Sequence, residues 1–331
     1  MIATAMTLTQ LRYLVAIADS GLNITQAAER VHATQPGLSK QLKQLEDELG
    51  FQLFTRKGRS LESIAPAGVR VIEHARKVLA EVANIRSYAA NERGEYSGRL
   101  LLATTHTQAR YVLPPAIAAI KREFPQVSVD LLAAGDSEVL GRLDEADLAL
   151  ISTAGSVPQG GLAIPLFRWR RVLLVQNAHP LVALQRAPTL AELAQHPLIS
   201  YESSTRADSS LQRAFTGAGV TPQIAMTARD ANLIKTYVRA GLGTGLLAEM
   251  AIGTREDADL RIIKAPAEIP ECITWAVIPR GRVLRDYALS LLHWLAPQLD
   301  RRDLRRVLEG NQESNWPQPP EWAELTQSAA L

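Results

Sequence analysis

The chain has 331 residues, of which 47% are hydrophobic, 21% charged and 5% aromatic. This length exceeds one ordinary hydrophobic core and the apolar content excludes wholesale disorder, so we expect a globular protein of two or three domains. Lys and Arg number 36 against 34 Asp and Glu, and a net charge of +2 is too small to indicate nucleic-acid or membrane binding by itself.

Cysteine and histidine usage predicts neither a disulfide nor a metal site. The single cysteine, Cys272, cannot form an intramolecular disulfide, and the six histidines show no spacing typical of zinc ligands. The N-terminal segment has no basic leader or cleavage pattern, and no run of about 18 apolar residues occurs. We therefore predict a cytoplasmic protein without membrane contact. Cys272 begins a predicted buried strand, which favours a small apolar role over redox sensing.

Three short helical patterns follow one another over residues 8–50, with leucines and other apolar residues at spacings of three and four. A tight turn separates the second from the third, which Gln35-Pro36 begins. Two extended pieces around Lys57-Gly58 then predict a hairpin with a basic tip, the shape of a wing. A helix-turn-helix would place the third helix in the DNA major groove.

The polar face of that third helix suits DNA, because Gln pairs with adenine, Ser donates or accepts, and Lys reaches phosphate or guanine. The predicted DNA-binding residues are Thr25, Thr34, Gln35, Pro36, Ser39, Lys40, Lys43, Arg56 and Lys57. The pattern alone is equally compatible with a three-helix packing module whose charged face is merely solvated.

A single long helix is predicted over residues 68–93, where no proline occurs and the only glycine is at the start. Its apolar stripe includes Val71, Val78, Val82 and Ile85 at helical spacing. Such a helix between two differently built regions favours dimerisation; the alternative is an amphipathic helix packed on its own domain.

From Gly98 onward, short strands alternate with helices, which is typical of parallel α/β architecture. A second set of the same kind follows, and a lone strand and helix come last. We expect these to return to the first lobe and make a hinge with two crossovers. The predicted boundaries are 6–67 for a winged helix-turn-helix domain, 68–93 for the linker helix, 98–167 with 272–299 for lobe I, 168–271 for lobe II and 300–331 for a polar tail.

Hydroxyl-bearing side chains follow several predicted strands. Thr104 to Gln108 lie between a strand and a helix, where backbone N–H groups and hydroxyls would cradle an anion. An equally weighted alternative is that these threonines only end the strand and cap the helix. Ser152-Thr153, Ser203 to Arg206 and Ala228 to Asp230 occupy equivalent places. If the two lobes face each other, these loops converge on a cleft suited to a small oxyanion, a carboxylate or an acylated serine.

The segment from Leu11 to Gly68 resembles the DNA-binding domain of the LysR-type transcriptional regulators. The sequences Gln-Pro-Gly-Leu-Ser-Lys from Gln35 and Leu-Glu-Asp-Glu-Leu-Gly from Leu45 carry this likeness. The resemblance covers roughly residues 6–298. It implies a winged helix-turn-helix, a dimerising linker helix and a two-lobed α/β effector domain like that of periplasmic binding proteins, assembled as a dimer and then a tetramer.

Within that family, residues 103–111 (ATTHTQARY) and 234–238 (IKTYV) are similar to the CysB branch, which regulates sulfur assimilation and cysteine synthesis. The resemblance implies effector contacts at Thr105, Thr107 and Gln108, with Ser152 keeping a hydroxyl. The branch's Thr-Gly-Arg loop in the second lobe reads Ser-Ser-Thr-Arg-Ala-Asp here, so the expected second-lobe contact is Thr205 or Arg206. Thr104 is the remaining predicted effector-binding residue.

The resemblance implies a regulator that binds double-stranded promoter DNA, contacts RNA polymerase if it activates, and has no cofactor beyond a small effector such as sulfate or an acylated serine. One alternative is a LysR-type regulator of unrelated genes with another small-acid effector. Another is a two-lobed small-anion binding protein whose N-terminal helices only mediate assembly. An enzyme is disfavoured because no acid, base or nucleophile stands out among the candidate cleft residues.

Overall fold

The computed structural model describes residues 6–58, 60–253, 255–310 and 315–328, without the side chains of 326–328. The chain divides after Glu92 into two compact units. Each unit is built around its own hydrophobic core.

The first unit is a winged helix-turn-helix followed by a long helix. Side chains of Thr7, Asn23 and Thr34 accept hydrogen bonds from the first turns of the first three helices, and Gly50 ends the third at φ 77°. The elements are α1 (Leu8–Asp19), α2 (Ile24–Arg30), α3 (Gln35–Leu49), β1 (Phe54–Lys57), β2 (Ser60–Ile64) and α4 (Pro66–Glu92). Leu38, Leu42 and Leu45 of α3 face the core.

The long helix α4 begins at Pro66, two residues before the predicted start, since Pro fits the first turn of a helix. Its N-terminal turns pack against α1 and the winged-helix core. Val71 is half-buried and packs against this core, and its place on a dimerisation face stays a prediction. Val82 is half-buried, whereas Val78 and Ile85 are exposed, Ile85 to 67%.

The second unit begins with lobe I and continues into lobe II. Lobe I opens with β3 (Gly98–Thr105), α5 (His106–Tyr111), α6 (Leu113–Glu123), β4 (Val127–Ala134), α7 (Asp136–Val139), β5 (Leu148–Thr153) and β6 (Leu162–Trp169). Lobe II comprises β7 (Arg171–Gln176), α8 (Leu190–Leu193), β8 (Leu198–Tyr201), α9 (Ser210–Gly217), β9 (Ile224–Ala228), α10 (Ala231–Arg239), β10 (Thr244–Ala248) and β11 (Leu260–Lys264). The chain ends with β12 (Cys272–Ile278), α11 (Asp286–Leu295), α12 (Arg301–Leu308) and α13 (Trp322–Ser328).

Each lobe has a mixed five-stranded sheet. In lobe I the order is β4-β3-β5-β12-β6, with β3, β4 and β5 parallel and β12 antiparallel to both neighbours. In lobe II the order is β11-β7-β10-β8-β9, with β8, β9 and β10 parallel and β7 antiparallel to both neighbours. The last strand therefore lies in the first lobe's sheet. Two peptide crossovers, before β7 and before β12, join the lobes.

The C-terminal segment is more ordered than the predicted tail. It forms α12 and α13, and its tryptophans pack against lobe I. The Trp316 indole donates to the carbonyl of Ala163 at 2.9 Å, and Trp322 lies 5.0 Å from Phe167 between ring centroids. Trp316 and Trp322 are only two apolar residues in a polar stretch, which is too few to produce the apolar periodicity that predicts a helix from a sequence. Residues 311–314 and 329–331 of the predicted tail lie outside the described residues.

Candidate functional site

A cavity of about 440 Å³ lies between the two lobes of the second unit. Lobe I contributes the end of β3, the start of α5 and the end of β5, while lobe II contributes β7, the turn after β8 and the start of α9. Thr105, Thr107, Gln108, Ser152 and Arg206, all predicted from the sequence, line this cavity. The geometry therefore brings five of the seven predicted effector residues together.

The side chain of Gln108 is the centre of a buried polar network. Its Nε2 donates to Ser152 Oγ at 3.0 Å and to Thr274 Oγ1 at 3.2 Å. The two hydroxyls are 2.9 Å apart, and the Trp169 indole also donates to Thr274 at 3.0 Å. Gln108 is 1% exposed, yet its Oε1 has no hydrogen-bond partner among the described residues. An unpaired buried acceptor at a cavity wall indicates a place for a ligand donor or a water.

Thr107 reaches across the cavity to the second lobe. Its hydroxyl lies 3.5 Å from the Tyr201 hydroxyl, which also accepts from the backbone N–H of Ala248 at 3.2 Å. Burial raises the pKa of Tyr201 to about 12. The phenol therefore stays neutral at physiological pH and adds no negative charge that would repel an anion.

Two predicted residues are not in the cavity wall. Thr104 is completely buried under it, because successive residues of a strand point to opposite faces and Thr105 takes the outward position. Thr205 is exposed in the turn after β8 and donates to the carbonyl of Glu202 at 2.9 Å. The turn instead presents Ser203 and Ser204 to the cavity.

The charges of the cavity wall differ from the sequence expectation. Arg206, the predicted cation, forms two hydrogen bonds with the Asp208 carboxylate, at 3.0 and 2.9 Å. Arg171, which the sequence analysis missed, is half-buried in the wall and makes no ion pair within 4.0 Å in the described part of the chain. Arg171 follows Arg170 at the start of a strand, and two adjacent arginines in a sequence usually indicate solvent-exposed side chains rather than a binding site.

The thiol of Cys272 lies at the back of the same cavity. Burial raises its pKa, which keeps the thiol protonated and poorly nucleophilic. Among the described residues, no group of three or more His, Cys, Asp or Glu side chains is arranged to hold a metal ion. The wall chemistry is that of a polar binding site with hydroxyl, amide, guanidinium and carboxylate groups.

The first unit carries a second candidate site on the exposed face of α3. Thr34 caps the helix by accepting from the N–H of Gly37 at 3.3 Å, and Pro36 lies in the first turn. Gln35, Lys40 and Lys43 are exposed and Ser39 is half-buried, whereas Leu38, Leu42 and Leu45 of the same helix are buried. Thr25 on α2 and Lys57 on the wing are exposed as well. This is the arrangement by which a helix enters a DNA major groove.

Glu46 fastens the wing to this helix, a role that the sequence did not reveal. It is buried, accepts from the Leu53 N–H at 2.9 Å, and accepts from Arg56 Nη2 at 2.9 Å. Arg56, predicted as a DNA contact, therefore pairs with Glu46 and helps to position β1, so its charge is partly neutralised. Lys57 at the tip has no such partner in the described residues and is the freer cation of the wing.

Comparison with known proteins identifies a family for each of the two units. The profile "Bacterial regulatory helix-turn-helix protein, lysR family" matches residues 8–68, and "LysR substrate binding domain" matches residues 93–300. The chain is 36% identical over 312 residues to the HTH-type transcriptional regulator CysB of Burkholderia cenocepacia, covering 93% of this chain and 99% of that one. It is 34% identical over 307 residues to the HTH-type transcriptional regulator cbl of Escherichia coli, covering 92% and 97%.

Two solved structures of transcriptional regulators have a similar fold. The cofactor-binding domain of the Cbl transcriptional regulator superposes with a TM-score of 0.59 at 35% identity, covering 65% of this chain and 95% of that one. Full-length OxyR from Pseudomonas aeruginosa gives a TM-score of 0.66 at 24% identity, covering 90% and 99%, and so shows the fold. In the part of the chain that the structure describes, no helix is both long and apolar enough to span a bilayer.

Proposed function

The chain belongs to the LysR family of transcriptional regulators, and from this premise we propose that it controls genes of sulfur assimilation or cysteine synthesis through a small anionic effector in its cleft. The polar cluster of Thr105, Thr107, Gln108 and Ser152 is the observation that carries the effector part of the proposal. Its hydroxyl and amide groups are suited to the oxygens of sulfate or of an acylated serine.

The sulfur assignment rests on the likeness to the CysB and Cbl regulators and on the stretch from Ala103 to Tyr111. Selection of genomic fragments by the purified protein at physiological salt, followed by sequencing, tests it. We expect a dyad upstream of sulfur-uptake or cysteine genes. Sites beside unrelated genes would leave a LysR-type regulator but remove the sulfur assignment, whereas no selective enrichment would contradict DNA recognition itself.

Base recognition is assigned to the first turn of α3. Gln35→Ala should weaken binding to the selected site by about 1–3 kcal/mol, the usual value of one side chain paired to a base, and leave non-specific binding nearly unchanged. Competitive gel shifts against random DNA measure the difference. Gln44→Ala is the matched control, because Gln44 is exposed on the C-terminal half of the same helix. Equal sequence preference in wild type and Gln35→Ala would contradict this assignment.

Effector recognition is assigned to Gln108. Gln108→Ala removes the free Oε1 acceptor and the donor that holds Ser152 and Thr274 in place, so calorimetric affinity for N-acetyl-L-serine, whose hydroxyl and amide N–H can donate to Oε1, should fall at least about tenfold while DNA binding stays intact. Gln159→Ala, in an exposed loop of the same lobe, serves as the control and should bind as wild type does. Unchanged affinity in Gln108→Ala would exclude the polar cluster as the effector site.

Self-association is assigned to the exposed part of α4. Val78, Ile85 and Tyr88 leave apolar surface in water, Ile85 to 67% and Tyr88 to 60%, which favours pairing with the same helix of a second copy. A dimer matches the two-fold symmetry of a dyad site, and two dimers would give a tetramer. If the protein activates transcription, RNA polymerase is a further partner. By linkage, an effector that favours one arrangement of the lobes shifts the assembly between two states on DNA.

A further inference from the structure

A second cavity, of about 330 Å³, lies in lobe I against the C-terminal segment. Helix α6, strand β6, the end of α11 and helix α13 contribute to its wall. It shares no lining residue with the cleft between the lobes in the described part of the chain. Its volume falls in the range of sites for organic ligands, about 300–1,000 Å³.

The wall of this cavity is apolar, unlike that of the cleft. Nine of the ten described residues that line it are apolar, and none of the ten is Asp, Glu, Lys or Arg. Three of them are aromatic: Phe167, Trp294 and Trp322. The rings of Phe167 and Trp322 lie 5.0 Å apart between centroids and are tilted by 47°. Such rings favour an aromatic ligand in a tilted or offset contact, and a charged ligand would lose its water without gaining a counter-charge.

His293 is the one polar side chain among the described residues of this wall. Its Nδ1 is buried and has no hydrogen-bond partner in the described part of the chain. Buried polar atoms without a partner are rare in folded proteins, so this nitrogen marks a place for a polar group of a ligand. A hydroxyl group suits either tautomer of the ring, because it can donate to a bare Nδ1 and accept from one that carries a hydrogen.

The C-terminal segment completes this cavity. Trp322 and Leu325 belong to α13, which lies outside the residues 93–300 that match the LysR substrate binding domain profile. The matched domain alone therefore lacks part of the wall. A ligand that contacts both α13 and lobe I binds the arrangement in which α13 is packed on the lobe, and by linkage it stabilises that arrangement.

We propose that this cavity is a second ligand site, which binds a neutral aromatic molecule of one or two rings through apolar contacts with Phe167 and Trp322 and a hydrogen bond between its single hydroxyl group and His293 Nδ1. Pro115, Trp294 and Pro297 line the cavity and are exposed, so they mark the side through which the ligand enters. The site is independent of the effector function proposed for the cleft.

Calorimetry on the full-length protein tests the proposal with three probes: 2-naphthol, naphthalene and the charged 2-naphthoate. We expect wild type to bind 2-naphthol about threefold to tenfold more tightly than naphthalene, the usual effect of one hydrogen bond, and at least about tenfold more tightly than 2-naphthoate. His293→Phe keeps a ring but removes Nδ1, so it should lose the preference for 2-naphthol and still bind naphthalene. His196→Phe is the matched control and should keep the preference, because His196 lies in lobe II and outside this wall.

Leu325→Ala tests where the probes bind. It removes apolar contact from α13 and should weaken the binding of both neutral probes at least about threefold, while DNA binding stays as in wild type. Circular dichroism spectra equal to that of wild type show that the comparison is between folded proteins.

Three results would overturn the proposal: no binding of 2-naphthol to wild type, binding of naphthalene or 2-naphthoate as tight as that of 2-naphthol, or the same preference for 2-naphthol in His293→Phe as in wild type. Unchanged affinities in Leu325→Ala would place the bound probe outside this cavity and would also contradict it. None of these results bears on the effector cleft, which Gln108→Ala tests separately.

Discussion

Asp257→Ala should lower the free energy of unfolding of the second unit by about 3–5 kcal/mol, the usual result of removing one partner of a buried ion pair. The Lys235 ammonium lies 2.6 Å from the Asp257 carboxylate, and the two side chains are only 4% and 2% exposed. Asp257 also accepts from the Gly253 N–H at 2.9 Å and from Arg239 Nη2 at 3.0 Å. The substitution leaves Lys235 buried without its counter-charge.

Urea denaturation followed by circular dichroism measures this loss. Asp259→Ala is a close control, because Asp259 pairs with the same Arg239 at 2.8 Å but has a side chain that is 56% exposed. Exposed ion pairs contribute about 0–1 kcal/mol, so the control should remain near wild type. A loss of similar size in both variants would show that burial of the Lys235–Asp257 pair is not what stabilises this part of lobe II.

The same pair gives a pH dependence with a definite sign. Burial raises the pKa of Asp257, but the hydrogen bonds from Lys235 and Gly253 outweigh it and hold the pKa below the ordinary value. A carboxyl whose folded pKa is lowered contributes stability above its unfolded pKa of about 3.9, and this contribution disappears as the pH falls through the folded pKa. The stability difference between wild type and Asp257→Ala should therefore be constant from neutral pH to about pH 5 and shrink below about pH 4.

Trp322→Ala should destabilise the second unit by about 2–3 kcal/mol. Loss of a fully buried Trp costs about 3–5 kcal/mol, and Trp322 is half-buried, with its ring 5.0 Å from that of the buried Phe167. The change should also free the segment from Trp316 to Ser328, since Trp322, the first residue of α13, packs against the core of lobe I.

Thermal and urea unfolding of the full-length protein measure the effect, and limited proteolysis reports whether the C-terminal segment is released. Val157→Ala is the control within lobe I, because Val157 lies in the loop between β5 and β6 and is 53% exposed. It should cost under about 1 kcal/mol. An unfolding midpoint of Trp322→Ala equal to that of wild type would mean that the C-terminal segment does not stabilise lobe I.

The elements with strong local signals were predictable from the sequence. Leucines at helical spacing with cap residues before them located the three helices of the winged domain, and strand–helix alternation located the two lobes.

Two strands, β6 and β11, were not predicted from the sequence. In β6 the interior Pro165 argues against a strand, and in the structure β6 lies at a sheet edge with the register shifted opposite it, so the missing N–H is tolerated. The other, β11, is a short edge strand whose exposed residues give no clear alternation.

The candidate cleft was only partly predictable, for a physical reason. Loops after parallel strands meet at one sheet edge, which brought Thr107, Gln108 and Ser152 together as expected. Which arginine forms an ion pair depends on where carboxylates lie in three dimensions. Arg206 has Asp208 two residues away, which the sequence already contained, but the hydrogen-bond partners of Arg171 are Ser210 and Pro270, distant in the chain.

The C-terminal segment also closes an open side of the lobe I sheet. On the side of β6 that faces away from β12, the Arg168 N–H donates to the Pro320 carbonyl at 2.9 Å, and Arg168 forms a parallel bridge with Glu321. An uncovered strand of this kind is a template for pairing with another molecule, and proline, which has no N–H, is a residue that ends such pairing. Prolines 317, 319 and 320 thus terminate the sheet, and a chain shortened before them would expose β6 and become prone to intermolecular strand addition and aggregation.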